Sequence, residues 1–232
     1  MRTPFWPGLA GALIAAGCAS RAPAPDAAAR STGSVELVVA ATTDVHGRLR
    51  GWDYYADSAE PGNGLTRAAT IVDSLRAAHP GRVILLDAGD LLQGNPLTHV
   101  AARVDTVGVG THPVVAAMNA MRYDASAIGN HEFNYGVPLL DRAVGQASFP
   151  FLSANTRRAD GGRKYRAWTV VERAGVRVGI VGATTPGVML WDRDNVRAAG
   201  VELRDIIPEV RTAVGEVRAA GAQVVVVTVH SG

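Results

Sequence analysis

The chain has 232 residues, of which 47% are hydrophobic and 19% charged, and its formal net charge is +2. This composition is typical of a globular protein with one sizeable core, and it excludes disorder of the chain as a whole. The 23 basic and 21 acidic side chains nearly cancel. A basic field large enough to bind a nucleic-acid polymer is therefore excluded as well.

Residues 1–17 are predicted to be a signal peptide. They combine Arg2 with an apolar run that is too short to span a bilayer. Cys18, the sole cysteine, follows Ala15-Ala16-Gly17 and resembles the bacterial lipoprotein signal, in which the cysteine is acylated. Ala15 stands where that signal normally has Leu. We predict a lipid anchor on Cys18 and a periplasmic or cell-surface location; the alternative is cleavage nearby, with Cys18 lost or left free.

Residues 18–34 are predicted to form a flexible tether after this cysteine. They consist mainly of Ala, Pro, Ser and Gly and offer almost nothing to bury. The folded domain is predicted to span residues 35–232.

Short apolar runs alternate in this domain with segments of helical period, which predicts a layered α/β fold with helices packed on β-sheets. The apolar runs are rich in Val, Ile and Leu, as expected for strands buried on both faces. Residues 166–181, with Ala174-Gly175 in the middle, read as a hairpin. The predicted strands are 35–43, 82–87, 125–128, 149–154, 176–182 and 223–229, and the predicted helices are 65–78, 113–121, 137–147 and 206–220.

Two polar motifs follow the first two predicted strands. Asp44 and His46 are two residues apart, so in an extended chain both point to one side and form a pair suited to a divalent metal. The alternative is a turn with a capping Asp44. Asp87-Ala88-Gly89-Asp90 ends a buried strand, where a carboxylate is desolvated unless a cation faces it. Here the alternative is that Asp90 caps the next helix.

Two further motifs follow later strands. Asn130, His131 and Glu132 lie between Gly129 and Gly136, where a tight turn concentrates polar groups next to an apolar strand. A surface loop is the alternative interpretation. His230 ends the last apolar strand, and alone it is more typical of a structural histidine. Together, however, the four motifs each place a metal-competent or acid-base residue just beyond a separate strand, which chance explains poorly.

The order D-x-H, G-D, G-N-H-E and a strand-terminal histidine resembles the calcineurin-like metallophosphoesterases. Within that family the chain is similar to the bacterial periplasmic 2′,3′-cyclic-nucleotide 2′-phosphodiesterase/3′-nucleotidases, which are related to the secreted 5′-nucleotidases. The similarity covers residues 37–232 and includes Asp53-Tyr54-Tyr55, residues 91–97 and Trp191-Asp192.

The resemblance implies a calcineurin-like sandwich with two divalent metal ions. Zn, Mn, Fe and Co all suit the mixed carboxylate, imidazole and carboxamide ligands, so the identity of the metal stays open. Asp44 and His46 would hold one metal, and Asp90 would bridge both. Asn130 and His230 would belong to the second metal. His131 would be the catalytic residue that faces the scissile phosphate, and Glu132 would support the loop.

The resemblance also implies a substrate class and leaves alternatives open. Secreted 5′-nucleotidases usually have Asp after G-N-H-E-F, whereas Asn134 stands there in this chain, as in the cyclic-phosphodiesterase branch. This favours hydrolysis of 2′,3′-cyclic nucleotides and 3′-nucleotides, and it weakens any direct carboxylate-histidine dyad. The alternatives are a 5′-nucleotidase or UDP-sugar hydrolase, and a non-catalytic truncated surface lipoprotein.

Two features of the family are expected beyond residue 232. One is a G-H-x-H motif whose histidines complete both metal sites, and the other is a carboxyl-terminal nucleotide-binding domain. The sequence therefore predicts a metallophosphoesterase domain truncated at its carboxyl end and nearly inactive by itself.

Overall fold

The structure is a computed structural model that describes residue 1, residues 34–103 and residues 110–231. The chain divides into two units, Met1–Ser34 and Val35–Gly232. Cys18 and nearly all of the predicted signal peptide and tether lie outside the described residues, so these predictions stay predictions.

Strands and helices alternate along the described part of the second unit, and none of its helices is long and apolar enough to cross a membrane. The strands are β1 (Val38–Thr42), β2 (Trp52–Asp53), β3 (Ser58–Ala59), β4 (Val83–Asp87), β5 (Ala125–Ala127), β6 (Phe151–Leu152), β7 (Thr156–Arg158), β8 (Trp168–Arg173), β9 (Val176–Thr184), β10 (Val201–Leu203) and β11 (Val224–His230). The helices are α1 (Leu65–Ala78), α2 (Pro96–Arg103), α3 (Pro113–Met121), α4 (Val137–Gln146), α5 (Val188–Trp191), α6 (Arg193–Ala198) and α7 (Ile206–Ala219), with a 3-10 turn at His131–Phe133.

Two sheets pack face to face. The first has the order β1-β4-β5-β6 and is parallel throughout, whereas the second has the order β11-β9-β8, with β8 antiparallel to β9. Because strand side chains alternate, Ile84 and Leu86 of β4 enter the core shared with Val178 and Ile180 of β9, while Leu85 joins the cluster on the other face. The strand β4 is therefore apolar on both faces.

Helices cover the outer faces of both sheets. On the first sheet, α1, α3 and α4 contribute Val72, Met118 and Leu140 to one apolar cluster. On the second sheet, α7 buries Ala213 and Val217. The resulting order of layers is helix, sheet, sheet, helix, which confirms the predicted layered α/β fold.

Most predicted elements match the observed ones, and α1 and α3 have the predicted bounds. The hairpin is also confirmed, since β8 and β9 pair around Ala174 and Gly175, which both have positive φ. The prediction that the strands are buried on both faces is wrong for β1 and β11. Each pairs on one side only among the described residues, and Val39 and Val227 are exposed.

The carboxyl ends of the strands meet at one edge. Thr42 of β1 lies beside Asp87 of β4, and Asp87 lies beside Ser126 of β5. His230 at the end of β11 reaches the same edge, where its Nδ1 lies 3.0 Å from the Ala88 carbonyl oxygen. The carboxyl ends of four different strands are therefore brought together.

Candidate metal centre

A cleft of about 390 Å³ opens at this edge. Its walls come from the loops that follow β1, β4 and β5, from the end of β11 and from the turn between α5 and α6. All six predicted site residues line the cleft, together with three others: Asp44, His46, Asp90, Asn130, His131 and His230, then Asn134, Trp191 and Asp192.

Asp90 lies at the centre of the site, with a side chain only 4% exposed. Its Oδ2 atom is 3.0 Å from Nε2 of His230, 3.9 Å from Nε2 of His131 and 4.0 Å from Nε2 of His46. Its Oδ1 atom accepts the backbone N–H of His131 at 2.9 Å. Burial acts to raise the pKa of Asp90, but the hydrogen bonds from His230 and His131 outweigh it and lower that pKa below its ordinary value.

Two groups of side chains are close enough to hold a metal ion. One consists of His46, Asp90 and His131, and the other of Asp44, Asp90 and His230. Asp90 belongs to both groups, as expected for a carboxylate that two cations share. The grouping differs from the predicted division, which placed Asp44 with His46. These two are nevertheless close, with Oδ1 and Nε2 3.6 Å apart.

The histidines present the nitrogen that a metal requires. Nδ1 of His46 lies 2.7 Å from the Gln93 carbonyl oxygen, and Nδ1 of His230 lies 3.0 Å from that of Ala88. Because a carbonyl oxygen only accepts, each Nδ1 must carry a proton and each Nε2 faces Asp90. This is the usual arrangement of metal-binding histidines. A hydrogen bond to Asp90, opposed by burial, raises the pKa of His230 to about 9, so a metal competes there with a proton.

Three of these residues have an uncommon backbone conformation. Asp44, His46 and Asp90 have φ values of 53°, 47° and 63°, in the left-handed region that non-glycine residues rarely occupy. Asp44 and His46 are thus not in extended chain, contrary to the prediction. The reason is that both N–H groups leave the ladder of β1: Asp44 donates to Gly89 and His46 to Asp90, at 3.0 and 2.9 Å. Such strain is typical of functional sites.

Glu132 holds the loop that carries Asp90. Its buried carboxylate accepts the backbone N–H groups of Asp90, Leu91, Leu92 and Gly129, at 2.8, 2.5, 3.0 and 2.6 Å. Burial, followed by the charge of Asp90, raises the pKa of Glu132. The prediction that Glu132 supports the loop is confirmed by these four contacts.

Two glycines allow the loops after β4 and β5 to touch. A Cβ atom on Gly89, which has a φ of 102°, would lie 2.5 Å from the backbone nitrogen of Gly129. A Cβ atom on Gly129 would collide with Asp90. Both positions therefore require glycine, because the two backbones approach without room for a side chain.

Asp87 is a different kind of carboxylate from Asp90. It accepts the hydroxyl groups of Thr42 and Ser126 and the N–H of Gly89, at 2.6, 3.0 and 2.7 Å. Burial raises the pKa of Asp87 to about 7. The argument that a cation compensates a carboxylate at the end of β4 thus fits Asp90 rather than Asp87. The capping alternative for Asp90 is wrong, because α2 begins only at Pro96.

His131 is linked to a carboxylate through an amide. Its Nδ1 lies 2.5 Å from Oδ1 of Asn134, and Nδ2 of Asn134 donates to Oδ2 of Asp192 at 2.8 Å. The sequence indicated no role for Asp192, which lies 58 residues from Asn134. Only its place in the Trp191-Asp192 stretch singled it out.

A helix-flanked double sheet with carboxylate and imidazole groups gathered at its strand ends defines an α/β protein with a candidate metal centre. The Bacillus subtilis (strain 168) protein named trifunctional nucleotide phosphoesterase protein YfkN is 36% identical over 211 residues, which cover 85% of this chain and 14% of that protein. The crystal structure of the calcineurin-like phosphoesterase YfkN matches with a TM-score of 0.79 and 34% identity, covering 84% of this chain and 62% of that chain.

Two other relatives carry more specific names. A 2′,3′-cyclic-nucleotide 2′-phosphodiesterase/3′-nucleotidase of Haemophilus influenzae is 36% identical over 216 residues, covering 89% of this chain and 33% of that protein. A snake venom 5′-nucleotidase of Crotalus adamanteus is 32% identical over 218 residues, covering 87% of this chain and 34% of that protein. No protein-family model matches the chain.

The chain belongs to the calcineurin-like phosphoesterase family. It spans about a third or less of the length of these curated relatives.

Proposed function

We propose that this chain is the metal-binding part of a phosphoesterase that hydrolyses 2′,3′-cyclic nucleotides and then 3′-nucleotides. The observation that carries the proposal is the position of Asp90 in two candidate ligand groups at once. Two bound cations would supply an activated water molecule and neutralise the phosphate charge. The donor set fits this use, since carboxylate, imidazole and carboxamide groups suit Zn, Mn, Fe or Co.

The residues of the cleft divide the work between ligands and a catalytic histidine. Asp44 and His46, whose Oδ1 and Nε2 atoms lie 3.6 Å apart, would hold one ion, Asp90 would hold both, and Asn130 and His230 would hold the second. His131 faces the phosphate and stabilises charge on the leaving oxygen or donates a proton to it. The engagement of its Nδ1 with Asn134 supports this role, because Nε2 is then the nitrogen directed into the cleft.

The substrate class is inferred from the relatives and from Asn134. The Haemophilus influenzae relative is named for 2′,3′-cyclic nucleotides and is 36% identical, against 32% for the 5′-nucleotidase of Crotalus adamanteus. Asn134 occupies the position at which secreted 5′-nucleotidases usually carry Asp. The existence of several 5′-nucleotidase relatives keeps that activity as the second candidate.

The proposed location is outside the cytoplasm, with a lipid anchor on Cys18. It is supported by the signal-like residues 1–17 and by the small residues before Cys18. Replacing Cys18 with Ser should release the protein from the membrane fraction of a bacterial host. An unchanged membrane fraction would refute the anchor.

The substrate test uses the full-length protein that the gene encodes, which the family resemblance predicts to be longer than 232 residues. One metal-loaded preparation is assayed with 2′,3′-cyclic AMP, 3′-AMP and 5′-AMP, and metal content is measured on the same sample. We expect turnover of the first two substrates with a shared metal requirement. A marked preference for 5′-AMP favours the 5′-nucleotidase, and full metal content without turnover favours a non-catalytic binding protein.

A further inference from the structure

The chain of contacts from His131 to Asp192 has a definite direction. The side-chain amide nitrogen of Asn134 donates to Oδ2 of Asp192 at 2.8 Å. The amide oxygen of Asn134 then faces Nδ1 of His131, at 2.5 Å. Because that oxygen also only accepts, Nδ1 of His131 must carry a proton.

Asp192 is itself held in place. It precedes α6, and the side-chain amide of Asn195 in that helix donates to its Oδ1 at 3.3 Å. The same amide donates to the backbone oxygens of Phe133 and Asn134, at 2.9 and 3.2 Å. The side-chain amide of Asn195 therefore links the turn before α6 to the loop that carries His131.

We propose that Asp192 is a positioning residue, which fixes the amide of Asn134 and, through it, the Nδ1–H tautomer and ring direction of His131. The effect on catalysis rests on the proposed function, because it needs His131 to act on a phosphate. The amide carries orientation from Asp192 to the imidazole without placing a negative charge against the ring. The carboxylate of Asp192, two hydrogen bonds away, thus fixes the orientation of the His131 ring.

The first test reads the tautomer directly. Histidine 15N spectra are recorded on the metal-free 232-residue chain at alkaline pH, where imidazole is neutral, and the His131 signals are assigned with His131→Gln. The wild type should show the Nδ1–H form. Asp192→Asn should give a mixture, because two facing amides can pair in either direction. The control is Asp194→Asn, an exposed change two residues further on in α6, which should match the wild type.

The second test is a rescue. Asn134→Asp alone places two carboxylates in contact and should disturb the turn. The double variant Asn134→Asp with Asp192→Asn reverses the order of the groups, since the new Asp accepts from both His131 and the new Asn. Both variants should show the Nδ1–H form, because a carboxylate at position 134 only accepts, but only the double variant relieves the contact between two carboxylates and should recover activity.

Kinetics on the longer protein supply the third readout. We expect Asp192→Asn to lower kcat roughly 10- to 100-fold, the scale of lost orienting contacts around a site, with KM little changed. The double variant should recover most of the activity lost in Asn134→Asp. If the wild-type longer protein shows no turnover, the proposed function fails while the spectra still test the positioning role.

The proposal is overturned if Asp192→Asn gives the same His131 spectrum as Asp194→Asn. It is also overturned if the double variant recovers none of the activity lost in Asn134→Asp. Should Asp192→Asn not fold, the comparison of those two variants decides the matter.

Discussion

The cleft has two loops that each offer a carboxylate, and they differ in depth. The deep loop, residues 88–92, carries Asp90, whose side chain is 4% exposed, and the shallow loop, residues 43–47, carries Asp44, which is 50% exposed. Glu132 accepts three N–H groups of the deep loop. The shallow loop is tied down chiefly through its own N–H groups, which donate to the deep loop.

This difference indicates that the deep loop fixes the position of the shallow loop. Asp90 is held by a buried network in which each polar group has a partner, so its geometry is fixed before any cation binds. Asp44 shares its carboxylate with the hydroxyl of Thr43 at 2.5 Å and borders solvent, so it can adjust. A fixed shared ligand beside an adjustable one suits a site whose metal spacing must be kept.

The sharpest test of this comparison replaces the two carboxylates one at a time. We expect Asp90→Asn to abolish stoichiometric binding of both ions, because Asp90 belongs to both groups. Asp44→Asn should weaken the binding of one ion about tenfold, which corresponds to roughly 1.4 kcal/mol of binding free energy. Titration with Mn²⁺ or Zn²⁺ followed by elemental analysis measures both. Equal losses in the two variants would contradict the distinction between the loops.

His131 separates ligand roles from catalytic ones at the same cleft. In the longer protein, His131→Ala should lower the rate of phosphate-ester hydrolysis by roughly 10²- to 10⁴-fold, the usual contribution of a positioned acid or base. Its metal content should stay near that of the wild type, unlike that of Asp90→Asn. A loss of one ion would instead make His131 a ligand together with His46 and Asp90.

Glu132→Gln tests what holds the deep loop. The new amide nitrogen is a hydrogen-bond donor, so it cannot accept hydrogen bonds from the backbone N–H groups that it would face. These buried donors would lose their acceptor. Unsatisfied buried groups cost about 1–3 kcal/mol each, so we expect the free energy of unfolding to fall by roughly 2–4 kcal/mol. Urea unfolding measures this, with exposed Glu172→Gln as the matched control. Equal unfolding midpoints in the two variants would show that the four contacts matter little.

Asp87→Asn should act on stability rather than on metal binding, and its effect depends on pH. The folded pKa of about 7 lies above the ordinary value of 3.8, so the stability contributed by Asp87 is fully present below pH 4 and lost as the pH rises through 7. The variant has no such loss. From pH 4 to pH 8 the wild type should therefore lose about 3–4 kcal/mol relative to Asp87→Asn.

This measurement uses urea unfolding of both proteins in the presence of a chelator, so that metal binding does not contribute. The same substitution at exposed Asp73 is the control. A constant difference between wild type and Asp87→Asn over this pH range would contradict the assigned environment of Asp87.

The sequence by itself determined the order and bounds of the main elements and the positions of the site motifs. Apolar periodicity and turn residues are local properties, so α1 and α3 could be predicted to the residue. The six site residues could be found because each follows an apolar strand, and strand ends converge in layered α/β folds. Short pieces such as β7 and β10 have too few residues for a period and were missed.

The tertiary structure alone decided how these residues work together. Which nitrogen of His46 faces Asp90 depends on a backbone carbonyl 47 residues away, at Gln93. The carboxylate behind His131 lies on a turn 58 residues from Asn134. Such partners depend on where distant parts of the backbone come close together, as Gly89 and Gly129 do. Because every residue carries backbone N–H and C=O groups, the sequence does not indicate which of them will become partners.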